Sequence, residues 1–428
     1  MKWILMIFLV IQVSSSVFAD KLGQVGNRWG IVFIKRITQN PYKTGNPYNN
    51  DLFPLLYFEK DNFYVHGLDA GYQFYKIDET SDLKVIAKYR YFDLALPERS
   101  SRYDGINVGL EYHKELMPDW SLFFDLMTDM GMKPVGEIKS VWNLKTWRLY
   151  WEFYAGILIK STTYNRRYYG LDEENPGADV DTSVGANVNF NFINHAYIFA
   201  GVESTHFGAK TIATSHVEKS SQEKYYVGAG LKEPMVDTVR LRSKYFQRYG
   251  FGFATPTNTI DIITKFKSEP DPYHNKLVSF FYGIPMSDDV MGLPMTVHFS
   301  PGFALHLENA GRQTYFGEFI GMIRLQYVIP LPIRLRAGFG EGLSYTSHIS
   351  DIEEREMQER HLNASKMLNY LDGSIEISLH DIFRTQFFKG FWLGWYLHHR
   401  SGIYGNSALF NKVSGGSNFN TISFTFEY

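Results

Sequence analysis

The sequence contains no cysteine, which excludes disulfide staples, thiol nucleophiles, cysteine-ligated zinc and a lipid anchor on cysteine. It also lacks a dominant charge. Its 43 Lys and Arg stand against 45 Asp and Glu, a formal net charge of −2, so no global field points to nucleic acid. Beyond residue 20 no apolar run approaches the roughly 18 residues of a spanning helix, so helical membrane spans are excluded as well. What the chain does have is aromatic side chains: 29 Tyr, 34 Phe and 8 Trp in 428 residues. That excess suits a large secreted β-protein or an outer-membrane barrel with aromatic girdles.

Lys2, the apolar run Trp3 to Val13 and the end Val17-Phe18-Ala19 have the charged, apolar and cleavage-site parts of a signal peptide over residues 1–19. The remainder alternates with period two. From Trp147 to Ile159 the odd positions Trp147, Leu149, Trp151, Phe153, Ala155, Ile157 and Ile159 are apolar, while the even ones include Arg148, Glu152 and Lys160. That length matches a tilted strand crossing a bilayer. Alternation alone fits a soluble sandwich too, because only the sense of the two faces differs. The final strand favours the barrel: Ile422, Phe424, Phe426 and Tyr428 alternate with Thr421, Ser423, Thr425 and Glu427, similar to the terminal strand read by the outer-membrane insertion machinery.

The expected fold is all-β, a transmembrane antiparallel outer-membrane β-barrel with about 18 strands, arranged as two tandem modules or one large barrel. The expected location is the outer membrane of a Gram-negative bacterium. Segment 233–275, rich in Lys, Arg, Asp and Pro, is expected to connect a module over 20–232 to a C-terminal barrel over 276–428. Strand number sets diameter, so a single cylinder of about 18 strands would hold an aqueous channel unless plugged.

Residues about 21–232 resemble the MipA/OmpV family of outer-membrane proteins. The likeness rests on Tyr48 to Tyr57 with its Pro54-Leu55 step, the Gly67 and Gly71 strand, the Ser161-to-Gly170 stretch STTYNRRYYG, the turn DEENPGADVD, and the strands around Ala200-Gly201-Val202 and Tyr226-Val227-Gly228. The resemblance implies an outer-membrane barrel with a scaffolding role toward periplasmic cell-wall enzymes, and it implies no catalytic residues; no cofactor is expected. The acidic turn, with Asp172, Glu173, Glu174, Asp179 and Asp181, has oxygen ligands for a divalent cation but matches no calcium-loop spacing. A solvated loop is the competing reading. The charge-dense run Asp351 to Arg360 reads as a short helix in an external loop.

The second half carries the one constellation suited to chemistry. Strand Phe391 to Ser401 is expected to run toward the cell exterior with Phe391, Leu393, Trp395, Leu397, His399 and Ser401 on the lipid-facing parity. A His and a Ser two residues apart on one face are a potential base and nucleophile at the outer leaflet. His399-x-Ser401 is similar to the His-x-Ser of PagL-type lipid A deacylases, small eight-stranded barrels in which a glutamate downstream of the serine orients the histidine. Here Glu427 lies at the wrong end of the barrel. Glu341 is the substitute, on the same parity near the upper rim, with one strand between it and His399; a rim carboxylate paired with Arg400 is its alternative. For His398-His399-Arg400 the alternative is contact with lipopolysaccharide phosphates. Asp372, Ser374, Glu376, Ser378 and His380 are expected to face the lumen and to pair with Arg334 and Arg336. Scaffold, lipid A ester hydrolase and diffusion channel are the functions these residues leave open, with outer-membrane lipid as the common partner.

Overall fold

The computed structural model describes residues 28–43, 47–90, 105–193, 195–232, 241–265, 267–309, 313–359, 364–403, 413 and 416–428; the expected signal peptide lies outside them. Twenty strands are described. They are β1 (Arg28–Gln39), β2 (Tyr48–Lys60), β3 (Phe63–His66), β4 (Asp69–Asp78), β5 (Ser81–Arg90), β6 (Gly105–Met117), β7 (Trp120–Asp129), β8 (Pro134–Thr146), β9 (Leu149–Lys160), β10 (Asp179–Asn191), β11 (Ala196–His206), β12 (Ser221–Lys232), β13 (Phe246–Thr255), β14 (Lys276–Ser287), β15 (Thr296–His306), β16 (Phe316–Ile329), β17 (Leu335–Thr346), β18 (Met367–Ser378), β19 (Phe391–Ser401) and β20 (Gly416–Glu427). β1 pairs with β12 and β13 pairs with β20, so the strands close into two antiparallel barrels, of twelve and of eight. The single wide cylinder is thereby excluded.

The two strands beyond the expected 18 have identifiable origins. Residues 62–77 look like one strand but fold as the hairpin β3–β4, turned at Gly67 with φ +67, a left-handed backbone that glycine adopts without penalty. The second barrel begins inside the segment expected to be a connector. β13 alternates outward Tyr249, Phe251 and Phe253 with inward Phe246, Arg248, Gly250, Gly252 and Ala254. Its glycines mute the pattern, and they are required: a Cβ at Gly250 would lie 2.8 Å from the Tyr396 hydroxyl and 2.5 Å from Ser279 Oγ.

Four turns at one end of the first barrel contain only two residues each, Asp61-Asn62, Glu79-Thr80, Pro118-Asp119 and Trp147-Arg148, whereas 161–178 and 207–220 are long and carry helices α1 (Thr162–Tyr168) and α2 (Ala209–Ile212). Outer-membrane barrels keep short turns on the periplasmic side and long loops outside, which orients both barrels. In the second, the loops 256–275 with α3 (Thr259–Lys265) and 347–366 with α4 (Asp351–Glu359) are external, and 379–390 with α5 (Leu379–Phe383) is periplasmic.

The period-two stripes face outward. Ile157, Val184, Ile422 and Phe424 are 41%, 59%, 59% and 37% exposed, values that water would not tolerate in a continuous belt but hydrocarbon requires. Trp147 leaves the stripe; it sits in the turn with φ 52. The chain is an outer-membrane barrel protein. The two barrels touch along a seam where Trp29, Leu56 and Phe58 of the first pack with Met286, Val297, Phe299 and Ile323 of the second. Phe58 and Phe299 stack with ring centroids 4.0 Å apart, and Lys60 Nζ donates to the Tyr245 hydroxyl at 2.5 Å.

Candidate functional site

His399 and Ser401 lie on the outward parity of β19 at its external end. Glu341 shares their face, and the registers Glu341↔Leu371 and Leu371↔His399 put it in the same row as His399, one strand away. The contacts do not assemble the three. His399 Nδ1 lies 2.6 Å from Asn418 Oδ1 and 3.2 Å from Thr259 Oγ1 of α3. Asn418 in turn donates to the Thr257 carbonyl at 2.8 Å, and Asn420 accepts from Trp395 Nε1 at 3.1 Å and donates to Ser268 Oγ at 2.7 Å. Loop 256–268 therefore covers an outward polar patch that would otherwise meet hydrocarbon unpaired. Leu371 separates Glu341 from His399. Glu341 is buried at 5% exposure beside Asn369, within the seam: Ile323, opposite it in the β16 ladder, packs against the first barrel. Arg400 points to the lumen, the opposite side of the wall, so it does not pair with Glu341.

The lumen of the second barrel is filled. Arg248 pairs with Asp372 and lies over the Phe281 and Tyr396 rings; Arg324 donates to Ser374 and Glu376 at 2.8 and 3.2 Å; Arg336 donates to Glu376 at 2.7 Å and also pairs with Glu427. Toward the exterior, Glu318 accepts from His306 at 2.8 Å, Ser344 at 2.6 Å and His398 at 3.0 Å. Arg400 joins Ser344 to Glu353 of α4, the latter at 2.6 and 2.7 Å. The helix read as an external element thus sends one carboxylate into the barrel as its upper seal. Of the expected lumen residues, Asp372, Ser374, Glu376 and Ser378 are buried there, while His380 is on α5 and bonds the Thr385 carbonyl. Arg336 takes its expected partner. Arg334 is instead a periplasmic residue, 2.7 Å from Asp381, and donates to Ser378 at 3.3 Å.

The first barrel carries its own interior ion pairs: Arg36 with Asp51, Lys84 with Glu111, Lys88 with Asp125 and Glu137, Lys160 with Asp181, and Lys224 with Glu203. Toward the exterior a plug of Tyr42, Ile86, Met127, Val135, Tyr164, Tyr168, Leu171 and Val217 closes it. The acidic turn supports that plug. Asp172 pairs with Arg167, Glu174 accepts from Ser215, Asp179 from Thr211, and Asp181 from Lys160.

Residues 35–232, nearly the whole of the twelve-stranded unit, match the family model described as MltA-interacting protein MipA. The first barrel is a MipA-family barrel. No curated protein matches the chain. Among solved structures the chain is similar to OprB of Pseudomonas putida, at 6% identity over 94% of each chain with a TM-score of 0.28. It is also similar to a bacterial polysaccharide outer membrane secretin, at 10% identity over 93% of this chain and 98% of the other, TM-score 0.26. LpxR from Salmonella typhimurium aligns at 9% identity over 68% of this chain and 88% of its own, TM-score 0.20. Scores this low carry no functional argument. The MipA-family barrel lies on the N-terminal side of the seam, and the eight-stranded barrel with His399 and Ser401 lies outside the matched residues.

Proposed function

We propose that the protein is a structural scaffold of the outer membrane, anchoring cell-wall enzymes at its periplasmic side. The observation that carries this reading is the closure of the interiors: the eight-stranded lumen is packed by Arg–carboxylate networks, and the MipA-family barrel, which keeps a cavity lower down, is plugged above its ion pairs. Packed or plugged barrels suit anchors rather than diffusion pores. The family is named for an interaction with MltA, a cell-wall enzyme, which supplies the partner class. The test is co-purification of that enzyme with the detergent-solubilised full chain: retention is expected, and failure to bind in detergent and in reconstituted membranes alike would remove the scaffold reading. Planar-bilayer recordings should show no conductance steps.

A second reading, lipid A ester hydrolysis, draws on the outward placement of His399 and Ser401 at the external end. Under it Ser401 is the nucleophile and His399 its base; Glu341, proposed as the orienting acid, would have to reach past Leu371 to replace Asn418 at the imidazole. Mass spectrometry of lipid A from cells expressing the wild type and Ser401→Ala separates the two: the scaffold gives one acyl pattern in both, the hydrolase a pattern lost in the variant.

A further inference from the structure

The turn between β18 and β19, residues 379–390, carries apolar side chains that its own fold does not use. α5 begins at Ser378, whose Oγ accepts from the Asp381 amide at 3.3 Å; Asp381 is 2.7 Å from Arg334, and His380 Nδ1 lies 2.9 Å from the Thr385 carbonyl. Polar contacts thus hold the turn in shape, while Phe383 and Phe387 are 58% and 75% exposed and Ile382 is exposed beside them. The rings form a continuous path. Phe383 lies against Phe388 with centroids 4.8 Å apart, Phe388 against Phe387 at 5.0 Å, and Phe387 against Phe391 at 6.2 Å. Phe391 then meets Phe424 and Phe426 at 5.3 and 4.7 Å, on the lipid-facing parity of β19 and β20. The hydrocarbon belt therefore runs past the strand ends onto the periplasmic turn. Arg334 ties in the neighbouring turn, where Leu331 and Ile333 are exposed as well. Charge completes the pattern: Arg384 and Lys389 flank the rings and are exposed, and the only acid of the turn, Asp381, already pairs with Arg334.

We propose that turn 379–390 is a membrane-interface anchor: its phenylalanines enter the inner leaflet of the outer membrane beside the barrel, and Arg384 and Lys389 hold the phosphates of anionic phospholipids there. An exposed cluster of rings is costly in water and is relieved at the boundary between headgroups and acyl chains. Basic side chains next to such a cluster gain from an anionic headgroup, and only close to the surface. The rings join the outward stripe rather than the open end of the barrel, which favours lipid over a periplasmic protein as their cover. The proposal stands apart from the scaffold reading, whose family match ends at residue 232.

The chain has no native cysteine, so Gln386→Cys, at an exposed position next to Phe387, takes a single fluorophore in the full chain reconstituted into phosphatidylcholine vesicles. Brominated lipid quenches such a probe only where acyl chains reach it. Brominated phosphatidylcholine is expected to quench it, and brominated phosphatidylglycerol at the same mole fraction should show at least about fivefold local enrichment, the gain of one basic side chain at an anionic surface. Adding Arg384→Gln and Lys389→Gln should abolish the enrichment and keep the quenching by brominated phosphatidylcholine. Adding Phe383→Ser and Phe387→Ser instead should remove quenching by both lipids, with heat-modifiable gel mobility reporting that each variant is folded. A probe left unquenched with the rings intact would overturn the proposal and assign the surface to a periplasmic protein. Equal quenching by the two brominated lipids would overturn it too, as would quenching retained by the folded phenylalanine variant.

Discussion

Arg400 shows how single residues hold the eight-stranded barrel together. Its guanidinium is wholly buried and bridges Ser344 on the wall to Glu353 on α4, so removing it leaves the buried Glu353 carboxylate with the Ser417 hydroxyl and no cation. Breaking one side of a buried pair costs about 3–5 kcal/mol. Arg400→Met should lower the urea midpoint accordingly, and adding Glu353→Gln should recover a large part of the loss; equal stability of Arg400→Met and wild type would refute the seal. On either side of Arg400 the chain makes a different use of polar groups: His399 and Ser401 face out, and His399 is held by Asn418 and Thr259. On the scaffold reading, Ser401→Ala leaves lipid A and stability unchanged within about 0.5 kcal/mol. At the periplasmic end, the hydrogen-bonded Arg334 guanidinium holds the Asp381 carboxyl far below the usual carboxylate range. A depressed carboxyl contributes its stabilisation above the unfolded value, near pH 4, and loses it as pH falls through the folded one. Hydrogen exchange of 379–390, corrected for intrinsic rates, should therefore stay slow from neutral pH down through pH 4 and speed up only below it, and Asp381→Asn should already exchange fast at pH 7.

At the level of elements, the outward faces were legible because hydrocarbon demands an unbroken apolar stripe, and β9 and β20 supply it at alternate positions. β13 was harder to read, since Gly250 and Gly252 vacate its inner face for Tyr396 and Thr421 and leave half the pattern blank. Gly250→Val should consequently prevent closure of β13 against β20, seen as loss of heat-modifiable mobility in the eight-stranded barrel; a normally folded variant would contradict the packing described. Helix α4 was readable as a helix from its charge density, but its inward Glu353 was not, because a carboxylate looks the same in sequence whether it meets water or Arg400. Similarly, spacing placed Glu341 correctly one strand from His399. Nothing local announced that another barrel would cover it.

For the whole molecule, strand counting left one cylinder or two undecided, because the choice lies in long-range pairing: β1 with β12, partners 186–202 residues apart, and β13 with β20, partners 163–181 apart. The seam is also invisible in sequence, since residues facing a neighbouring barrel and residues facing lipid are both apolar. The absence of native cysteine makes it directly testable. With Phe58→Cys and Phe299→Cys introduced together, a short bismaleimide should join the two barrels in intact membranes and shift gel mobility, whereas either single variant should not; failure of the pair to react would place the barrels apart. The two interiors differ in one more respect. Densely packed matter is nearly incompressible, so the ion-filled cylinder behaves as a stiff post under lateral membrane tension, while its wider neighbour, with an unfilled hollow beneath its plug, can flatten and recover. Stretching the membrane would then deform one side of the molecule and spare the other.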